Sequence, residues 1–356
     1  MKWEKKKLCE CTEYITDGDH QPAPKADKGV HFIKIKDIVN NQVSFDAQVY
    51  VPQEYYDNLP MERKPQKEDV LYTVVGSFGI PSYVQTDELF CFERNIALLH
   101  PNKDIEPRFL YYSLKNPAFY KGVEIVANGS AQKLIPLSKL KDLKISVPDK
   151  EAQRHIADIL SAYDDLIENN QKQIKLLEEA AQRLYKEWFV DLNFPGHENT
   201  KIVDGVPEGW RISSIYDVFD IKYGKNLPTS KITKAGQYPV YGASGVIGYY
   251  NEKNCDDYAT LVTSRGNGSG DVFRTHHKQS YVTNNSFIAR RNDKNSFIEN
   301  EFTFQLFSNT DFKKLCTGSA QPQLTNTSIS LHFSEKSIVA HPPSGSIQTA
   351  MYPFAL

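Results

Sequence analysis

The longest regular pattern of apolar and polar positions lies between residues 149 and 192. Apolar side chains recur there in steps of three and four residues, and no glycine or proline follows Pro148 until Pro195. This spacing predicts one long helix with a narrow apolar stripe, as in a coiled coil. Asp149 directly follows Pro148 and is suited to cap the helix N-terminus. The stripe consists of Ile156, Ile159, Tyr163, Leu166, Ile174, Leu177, Leu184 and Trp188.

A helix with so narrow a stripe needs another surface to cover it. Two arrangements fit the pattern: packing along a domain surface, or pairing with a second helix, which we favour. Asn170 interrupts the apolar stripe, and a polar residue at such a position can set the register of a coiled coil.

The segments on either side of this helix resemble each other. The string Gly-Ser-Ala-Gln at Gly129–Gln132 recurs at Gly318–Gln321. Asn95 matches Asn285, and Gly79 is matched with Gly268, at nearly the same separation. Repetition at this distance predicts two similar globular units, and residues that recur in both are interpreted as structural.

The amino-acid composition limits the classes of protein to which this chain can belong. A chain of 356 residues, 40% hydrophobic and 24% charged, can form two soluble domains with separate cores. The N-terminus lacks a secretory signal, and no apolar run is long enough to span a membrane. Five cysteines without metal-ligand spacing indicate reduced thiols in the cytoplasm, although Cys9 and Cys11 with His20 form a less favoured metal-site alternative. The net charge of −2 does not by itself suggest nucleic-acid binding.

No catalytic motif is evident. The segment Asn116–Phe119 lacks the second proline of a methyltransferase motif, so a turn that ends a helix is the better interpretation. No phosphate-binding loop of the Walker type occurs, and His276 and His277 lack a third metal ligand. We therefore predict a non-catalytic protein without cofactor or metal.

Several short segments carry a family resemblance. Each unit opens with a tryptophan-led segment, at Trp3 and Trp210, and Pro148 is followed by Gln153 at the start of the helix. The glycine-rich segments are Tyr238–Tyr249, Leu261–Gly270 and Gly318–Asn326. In combination these segments resemble the specificity subunits of type I restriction–modification systems.

The resemblance implies an α+β fold with two similar mixed α/β target-recognition domains joined by a coiled-coil spacer helix. Each domain would read one half of a bipartite double-stranded DNA target, and methyltransferase and restriction–translocase subunits would dock on the frame. The predicted organisation is a first domain at 1–148, the spacer at 149–192, a linker at 193–205, and a second domain at 206–330.

Base reading requires hydrogen-bonding side chains on loops that reach the major groove. The segment Ser264–Gly270 offers two such side chains, Arg265 and Asn267. The repeat matches them with Gly76 and Phe78, which are chemically different. Arg290 and Arg291 are interpreted as phosphate contacts or plain surface. The predicted DNA contacts are Lys225, Asn226, Arg265, Asn267, Lys278 and Gln321 in the second unit, and His20, Gln21 and Gln132 in the first.

The C-terminal segment departs from the repeat. Pro343 and Gln348 reproduce the spacing of Pro148 and Gln153, but Gly345 interrupts the helical pattern that should follow. Residues 331–356 are therefore interpreted as the truncated remnant of a second spacer helix. The first spacer then lacks a partner within the chain, and we expect a second copy, or a methyltransferase subunit, to cover its stripe.

An alternative from another functional class remains open. The chain could be a coiled-coil structural adaptor, or an inactive truncated allele, whose globular units no longer read DNA.

Overall fold

The computed structural model describes residues 2–127, 133–295, 298–318, 321–330 and 339–341. The chain divides into two compact units, Met1–Lys172 and Gln173–Leu356, and the division falls within the long helix. Within the described ranges, no helix is long and apolar enough to cross a membrane. The first copy of the repeated Gly-Ser-Ala-Gln string and most of the predicted spacer remnant lie outside these ranges.

The first unit is built from short strands and short helices. Its strands are β1 (Glu4–Lys7), β2 (Thr12–Asp17), β3 (Val30–Ile33), β4 (Ile38–Val39), β5 (Gln42–Val43), β6 (Tyr50–Val51), β7 (Val70–Thr73), β8 (Pro81–Tyr83), β9 (Phe90–Phe92), β10 (Ile96–Pro101) and β11 (Lys144–Val147). Its helices are α1 (Leu8–Cys11), α2 (Gln53–Asp57), α3 (Pro107–Lys115), α4 (Pro117–Val126) and α5 (Leu137–Asp142), with 3-10 turns at Ile35–Asp37 and Met61–Arg63.

A four-stranded antiparallel sheet of order β2-β10-β7-β8 forms the centre of the first unit. Successive side chains of a strand point to opposite faces, so this sheet buries both of its faces. Tyr72 and Leu99 belong to a core shared with α1 and α3, while Leu71 and Leu98 pack against the small sheet β6-β3-β9.

The predicted long helix is confirmed as α6 (Lys150–Tyr185), which continues into a π-helical turn at Lys186–Val190. Asp149 caps it as predicted, because its Oδ1 accepts the Ala152 N–H at 2.9 Å. Gln153 has a role that the sequence did not reveal. Its buried amide accepts the Glu106 N–H at 2.9 Å and donates to the Pro148 carbonyl at 3.1 Å, which fixes the helix start to the first unit.

The second unit repeats this mixture of elements. Its strands are β12 (Ile202–Val203), β13 (Val206–Pro207), β14 (Arg211–Ser213), β15 (Phe219–Tyr223), β16 (Tyr238–Tyr241), β17 (Val246–Tyr250), β18 (Thr260–Thr263), β19 (Val272–Arg274), β20 (Tyr281–Val282), β21 (Ser286–Arg291) and β22 (Val339–His341). Its helices are α7 (Ile215–Val218) and α8 (Asn300–Ser308), with 3-10 turns at His197–Asn199, Thr229–Lys231, Asp293–Asn295 and Phe312–Leu315. Residues 326–330 are also helical.

The two units share one topology, as the internal repeat predicted. The second unit has a four-stranded antiparallel sheet of order β15-β21-β18-β19 and a three-stranded sheet of order β17-β16-β20. In both units the small sheet contains one parallel pair, β3 with β9 and β16 with β20. In both units an early strand also pairs with the last strand, β1 with β11 and β14 with β22. The second unit thus includes Val339–His341, beyond the predicted boundary at residue 330.

One predicted equivalence is wrong by two residues. The Gly79 N–H bonds to the Thr73 carbonyl, and the same bond in the second unit joins Gly270, not Gly268, to Thr263, each at 2.8 Å. Gly79 and Gly270 also share a positive φ, 84° and 87°. The loop of the second unit is one residue longer, and a fixed sequence offset does not reveal such an insertion.

Candidate nucleic-acid interface

In each unit, three loops meet at one end of the four-stranded sheet, which we call the loop end. In the second unit β15 and β18 finish there while β21 begins, so residues 224–226, 264–271 and 283–285 are brought together. In the first unit the corresponding loops are residues 18–21, 74–80 and 93–95. The backbone ties are equivalent: Val74 N–H donates to Asn95, and Ser264 N–H donates to Asn285, at 2.9 and 2.8 Å.

The loop of Arg265 and Asn267 is held by main-chain contacts, while both side chains are exposed. Arg265 forms an isolated antiparallel bridge with Gln323. Gly266, at φ 89°, donates its N–H to the Pro322 carbonyl at 3.1 Å. The segment that follows the second Gly-Ser-Ala-Gln copy therefore lies directly against this loop, with Gln321 exposed beside it. The structure thus brings these three predicted residues into one surface region.

Lys225 and Asn226 lie at the same loop end, after β15. Lys225 donates its N–H to the Val282 carbonyl at 3.0 Å and forms a parallel bridge with Thr283. Both predicted side chains are exposed, and the Asn226 carbonyl accepts the Tyr281 hydroxyl at 3.2 Å. A fixed backbone that presents exposed donors is suited to contacting a nucleic acid.

Lys278 lies elsewhere. Its loop follows β19, which ends at Arg274 opposite Thr260, at the far end of the sheet from Thr263. The sequence placed Lys278 with the other candidates only because it is basic and on a loop.

His20 and Gln21 occupy the loop of the first unit that corresponds to Lys225 and Asn226, and both are exposed. This loop contains carboxylates that bind within the unit. Asp17 contacts the His20 ring at 3.1 Å, and Asp19 accepts from the Tyr55 hydroxyl at 3.1 Å and from Arg63 at 3.2 Å.

Burial raises the pKa of Asp19, but the hydrogen bonds from the Gln21 N–H and Tyr55, together with the Arg63 charge, outweigh it and leave the pKa lowered. The carboxylate is therefore held ionised as an anchor for the loop. Gln132, the remaining candidate in the first unit, lies outside the described residues.

The corrected alignment changes which residues are equivalent. The counterpart of Arg265 is Val75, since each forms the bridge that joins its loop to the segment from Lys133 or Pro322 onward. The fixed separation between the repeated segments had matched Arg265 with Gly76 instead, and that match is wrong. The third loop, with Arg94 in one unit and Asn284 in the other, was missed because nothing in its sequence indicates that it reaches the loop end.

The predicted stripe of α6 separates into three parts. Ile156 packs against the first core, whereas Leu184 and Trp188 are half-buried in the second unit. Exposed apolar side chains occupy the part between them: Ile159, Tyr163, Leu166, Ile174 and Leu177. The prediction of one uniformly unpartnered stripe is therefore wrong at Ile156, which the first core covers. At the other end Tyr185 and Phe189, which are next to Leu184 and Trp188 in the sequence, pack into the second core.

Each unit also holds α6 through a carboxylate. In the first unit, Asp164 accepts from the Tyr112 hydroxyl at 3.0 Å and from Lys115 at 3.2 Å. In the second, Arg274 donates to Glu178 at 2.9 Å and Glu301 at 2.6 Å. Sequence spacing missed these contacts because their partners are far apart along the chain.

The other motifs have structural explanations. Helix α3 ends at Lys115, and Asn116 accepts the Ala118 N–H at 2.8 Å to cap α4, which confirms the predicted turn. The His277 ring bonds to the buried Tyr241 hydroxyl at 2.8 Å. Within the described ranges, no cluster of three or more His, Cys, Asp or Glu side chains could hold a metal ion.

The structure thus contains two repeated α+β units and one long helix, and in each unit three loops meet at one end of the central sheet. This organisation defines a class of two-domain proteins. The family model for the type I restriction modification DNA specificity domain matches residues 1–179 and 207–348. The chain belongs to this family.

Two curated relatives come from Methanocaldococcus jannaschii. The type I restriction enzyme MjaIX specificity subunit is 34% identical over 143 residues, which are 39% of this chain and 32% of that protein. The putative MjaX specificity subunit is 29% identical over 244 residues, covering 66% of this chain and 57% of that protein. This chain thus matches a third to somewhat over half of the length of these relatives.

A crystal structure of the type I restriction–modification S subunit from M. genitalium shares the fold. It aligns at a TM-score of 0.55 and 19% identity, and covers 86% of this chain and 76% of that one.

Proposed function

We propose that this chain is a DNA-binding specificity subunit of a type I restriction–modification complex and acts in the cytoplasm. Each unit reads one half of a bipartite double-stranded DNA target through its loop end. Methyl transfer and cleavage belong to partner subunits, so the chain itself catalyses no step. The family match over both units carries this proposal.

The geometry supports reading at the loop ends. The backbone frame is the same in both units, whereas the side chains at the loop ends differ: the exposed Lys225 stands where the first unit has the half-buried Asp19, and the exposed Arg265 where it has the half-buried Val75. Units that read different half-sites need this combination, since the frame positions the loops and the side chains specify the bases.

We further propose that the exposed middle of α6 docks a partner helix, from a methyltransferase subunit or from a second copy of the chain. Tyr163 is 64% exposed, Ile174 57% and Leu177 54%. Apolar side chains that recur along one helix face in water normally mark an interface. The restriction–translocase subunit then joins the complex that results.

Reconstitution tests the function directly. The purified chain alone should neither methylate nor cleave DNA. Mixed with a cognate methyltransferase subunit, it should make that subunit methylate DNA at a specific sequence. Methylation by the chain alone would disprove the non-catalytic assignment. Sequence-independent binding, together with helix-dependent recruitment of proteins, would favour the structural adaptor instead.

Arg265→Ala tests the reading surface. Loss of a forked donor to a base edge should cost about 1–3 kcal/mol at one base position and leave the others unchanged. Lys278→Ala is a matched control, because that side chain is exposed, basic and away from the loop end. An equal loss on every sequence would reassign Arg265 to the phosphate backbone.

Leu177→Asp tests the docking stripe. A charge at this exposed position should abolish self-association, or binding of the methyltransferase subunit, while the fold is kept. Light scattering measures the first and co-purification the second. Lys175→Asp is the control on the same helix. A monomer that binds the methyltransferase subunit equally well with and without the substitution would contradict the docking proposal.

A further inference from the structure

Arginines near the central sheets differ in whether their guanidinium groups are already bound. In the second unit, Arg274 is held by two glutamates, and Arg291 donates to the Ile298 carbonyl at 2.9 Å. Arg265 makes no ion pair or side-chain hydrogen bond to the described part of the chain, and it is exposed at the loop end. It is therefore available to a ligand there.

The first unit has no arginine at the equivalent position, because Val75 stands there. It carries one instead on a different loop of the same end. Arg94 lies in the turn between β9 and β10, where the second unit has Asn284, and its side chain is exposed.

The Arg94 turn is held on both sides. The Ile96 N–H closes it by donating to the Glu93 carbonyl at 3.1 Å, and Glu93 forms a parallel bridge with Asp19. The adjacent Asn95 carbonyl accepts the Val74 N–H. Three loops of the loop end therefore fix the backbone from which the Arg94 side chain extends, so that only the side chain itself is left to be ordered on binding.

The described charged side chains near Arg94 form no ion pair with its guanidinium group. The carboxylate of its neighbour Glu93 accepts the Ile35 N–H at 2.7 Å. The other cations of this region are engaged, since Arg63 binds Asp19 at 3.2 Å and Lys133 lies 3.9 Å from Glu124 and over the Phe78 ring. Among the described residues, Arg94 makes no ion pair or side-chain hydrogen bond.

We propose that Arg94 is a specificity-determining residue of the first unit, the counterpart in role of Arg265, although it extends from a different loop. Its forked donors suit the two acceptors that guanine presents in the major groove, O6 and N7. This inference rests on the proposed function of the chain. It goes further by assigning a guanine contact in each half-site to a separate arginine.

The test selects binding sites for the full chain from a library of random duplex DNA and measures affinities for single-base variants of the selected site. Arg94→Ala should lose discrimination at one guanine by roughly 5- to 150-fold and keep the other positions. Arg265→Ala should do the same at a guanine in the other half-site. Arg94→Lys keeps the charge without the fork and should also lose discrimination. Arg154→Ala, which removes an exposed arginine of the first unit located on α6, is the control.

Each outcome decides the proposal. Equal weakening on all sequences makes Arg94 a phosphate contact and overturns it, and so does unchanged discrimination. Loss in the same half-site as Arg265→Ala overturns the assignment to the first unit. If the unmodified chain selects no sequence at all, the proposed function itself fails, which distinguishes that failure from a failure of the Arg94 assignment.

Discussion

The two units have the same strand order, and the turn before β10, closed by the Ile96 N–H to the Glu93 carbonyl, recurs before β21, where the Ser286 N–H donates to Thr283. They nevertheless carry opposite charges on the loop that follows the first strand of the central sheet. The first unit holds Asp17 and Asp19 there, bound to Arg63 and His20, whereas the second presents Lys225 without an ion pair in the described structure. The strand order and the main-chain hydrogen bonds recur because both units need the same frame. The loop positions differ in charge, which agrees with our proposal that each unit reads a different half-site.

A second difference concerns the surface beside α3 and α8. In the second unit, Trp210 packs against Phe189 and Phe194, with ring centroids 5.7 and 5.1 Å apart. Its counterpart Trp3 is 49% exposed and lines an open pocket of about 270 Å³ with Phe109. The π-helical turn after α6 and the segment that follows it thus cover the tryptophan of the second unit, whereas the tryptophan of the first unit is half exposed.

The largest effect is expected when a glycine of the shared frame is replaced by alanine, which adds a single methyl group. A Cβ at Gly224 would lie 2.2 Å from the Thr283 carbonyl oxygen, and one at Gly18 would lie 2.2 Å from that of Phe92. Gly224→Ala and Gly18→Ala should each destabilise their own unit by about 3 kcal/mol or more, since only a backbone shift relieves the clash. Chemical denaturation gives the size, and hydrogen exchange shows which unit opens.

Gly122→Ala, within α4, is the control, because the nearest atom to its Cβ would be in the Leu143 side chain at 3.9 Å, an ordinary contact distance. That change should leave stability unchanged or raise it by about 1 kcal/mol. If one of the two glycines tolerates alanine as well as Gly122 does, the units do not share this frame.

Replacing each of the two equivalent tryptophans should have a smaller effect on stability, and it tests the second difference between the units. Trp210→Ala should cost about 2 kcal/mol, because it removes contacts with two aromatic rings. Trp3→Ala should cost less than about 1 kcal/mol, because half of the side chain is already in water. Equal costs in thermal or chemical unfolding would show that Trp3 is covered in solution.

The smallest expected effect is a pH dependence confined to the first unit. Asp69 is fully buried and bonds to His100 at 2.6 Å, whereas the equivalent residue of the second unit is Ala259. Burial raises the pKa of Asp69 above its ordinary value of 3.8, and outweighs the Gln66 N–H and His100, which lower it.

Because the pKa is raised, the folded state binds the proton more tightly than the unfolded state does. The resulting stability is fully present below pH 3.8 and is lost as pH rises through the folded pKa. The unfolding free energy of the wild type, relative to Asp69→Asn, should therefore rise as pH falls through this range. Parallel profiles for the two proteins in chemical denaturation would contradict the assignment to Asp69.

The sequence alone determined the features that depend on local periodicity and repetition. The α6 helix, its Asp149 cap, the turn at Asn116 and the duplication all follow from residues that are neighbours along the chain, or from patterns with one period. Most of the second unit's candidate residues, which the structure places at the loop end, were also proposed in this way, because glycine-rich loops with polar side chains are visible without knowing the fold.

Only the tertiary structure decided what depends on pairing between distant strands. The requirement for glycine at positions 18 and 224 arises from a parallel strand that passes close by. The pairing of Gly79 with Gly270 rests on a one-residue insertion that hydrogen bonds reveal. The availability of Arg94 follows from neighbours up to 75 positions away, Asp19 among them. Such contacts join residues whose separation along the chain carries no periodic signal, so no pattern of apolar and polar positions encodes them.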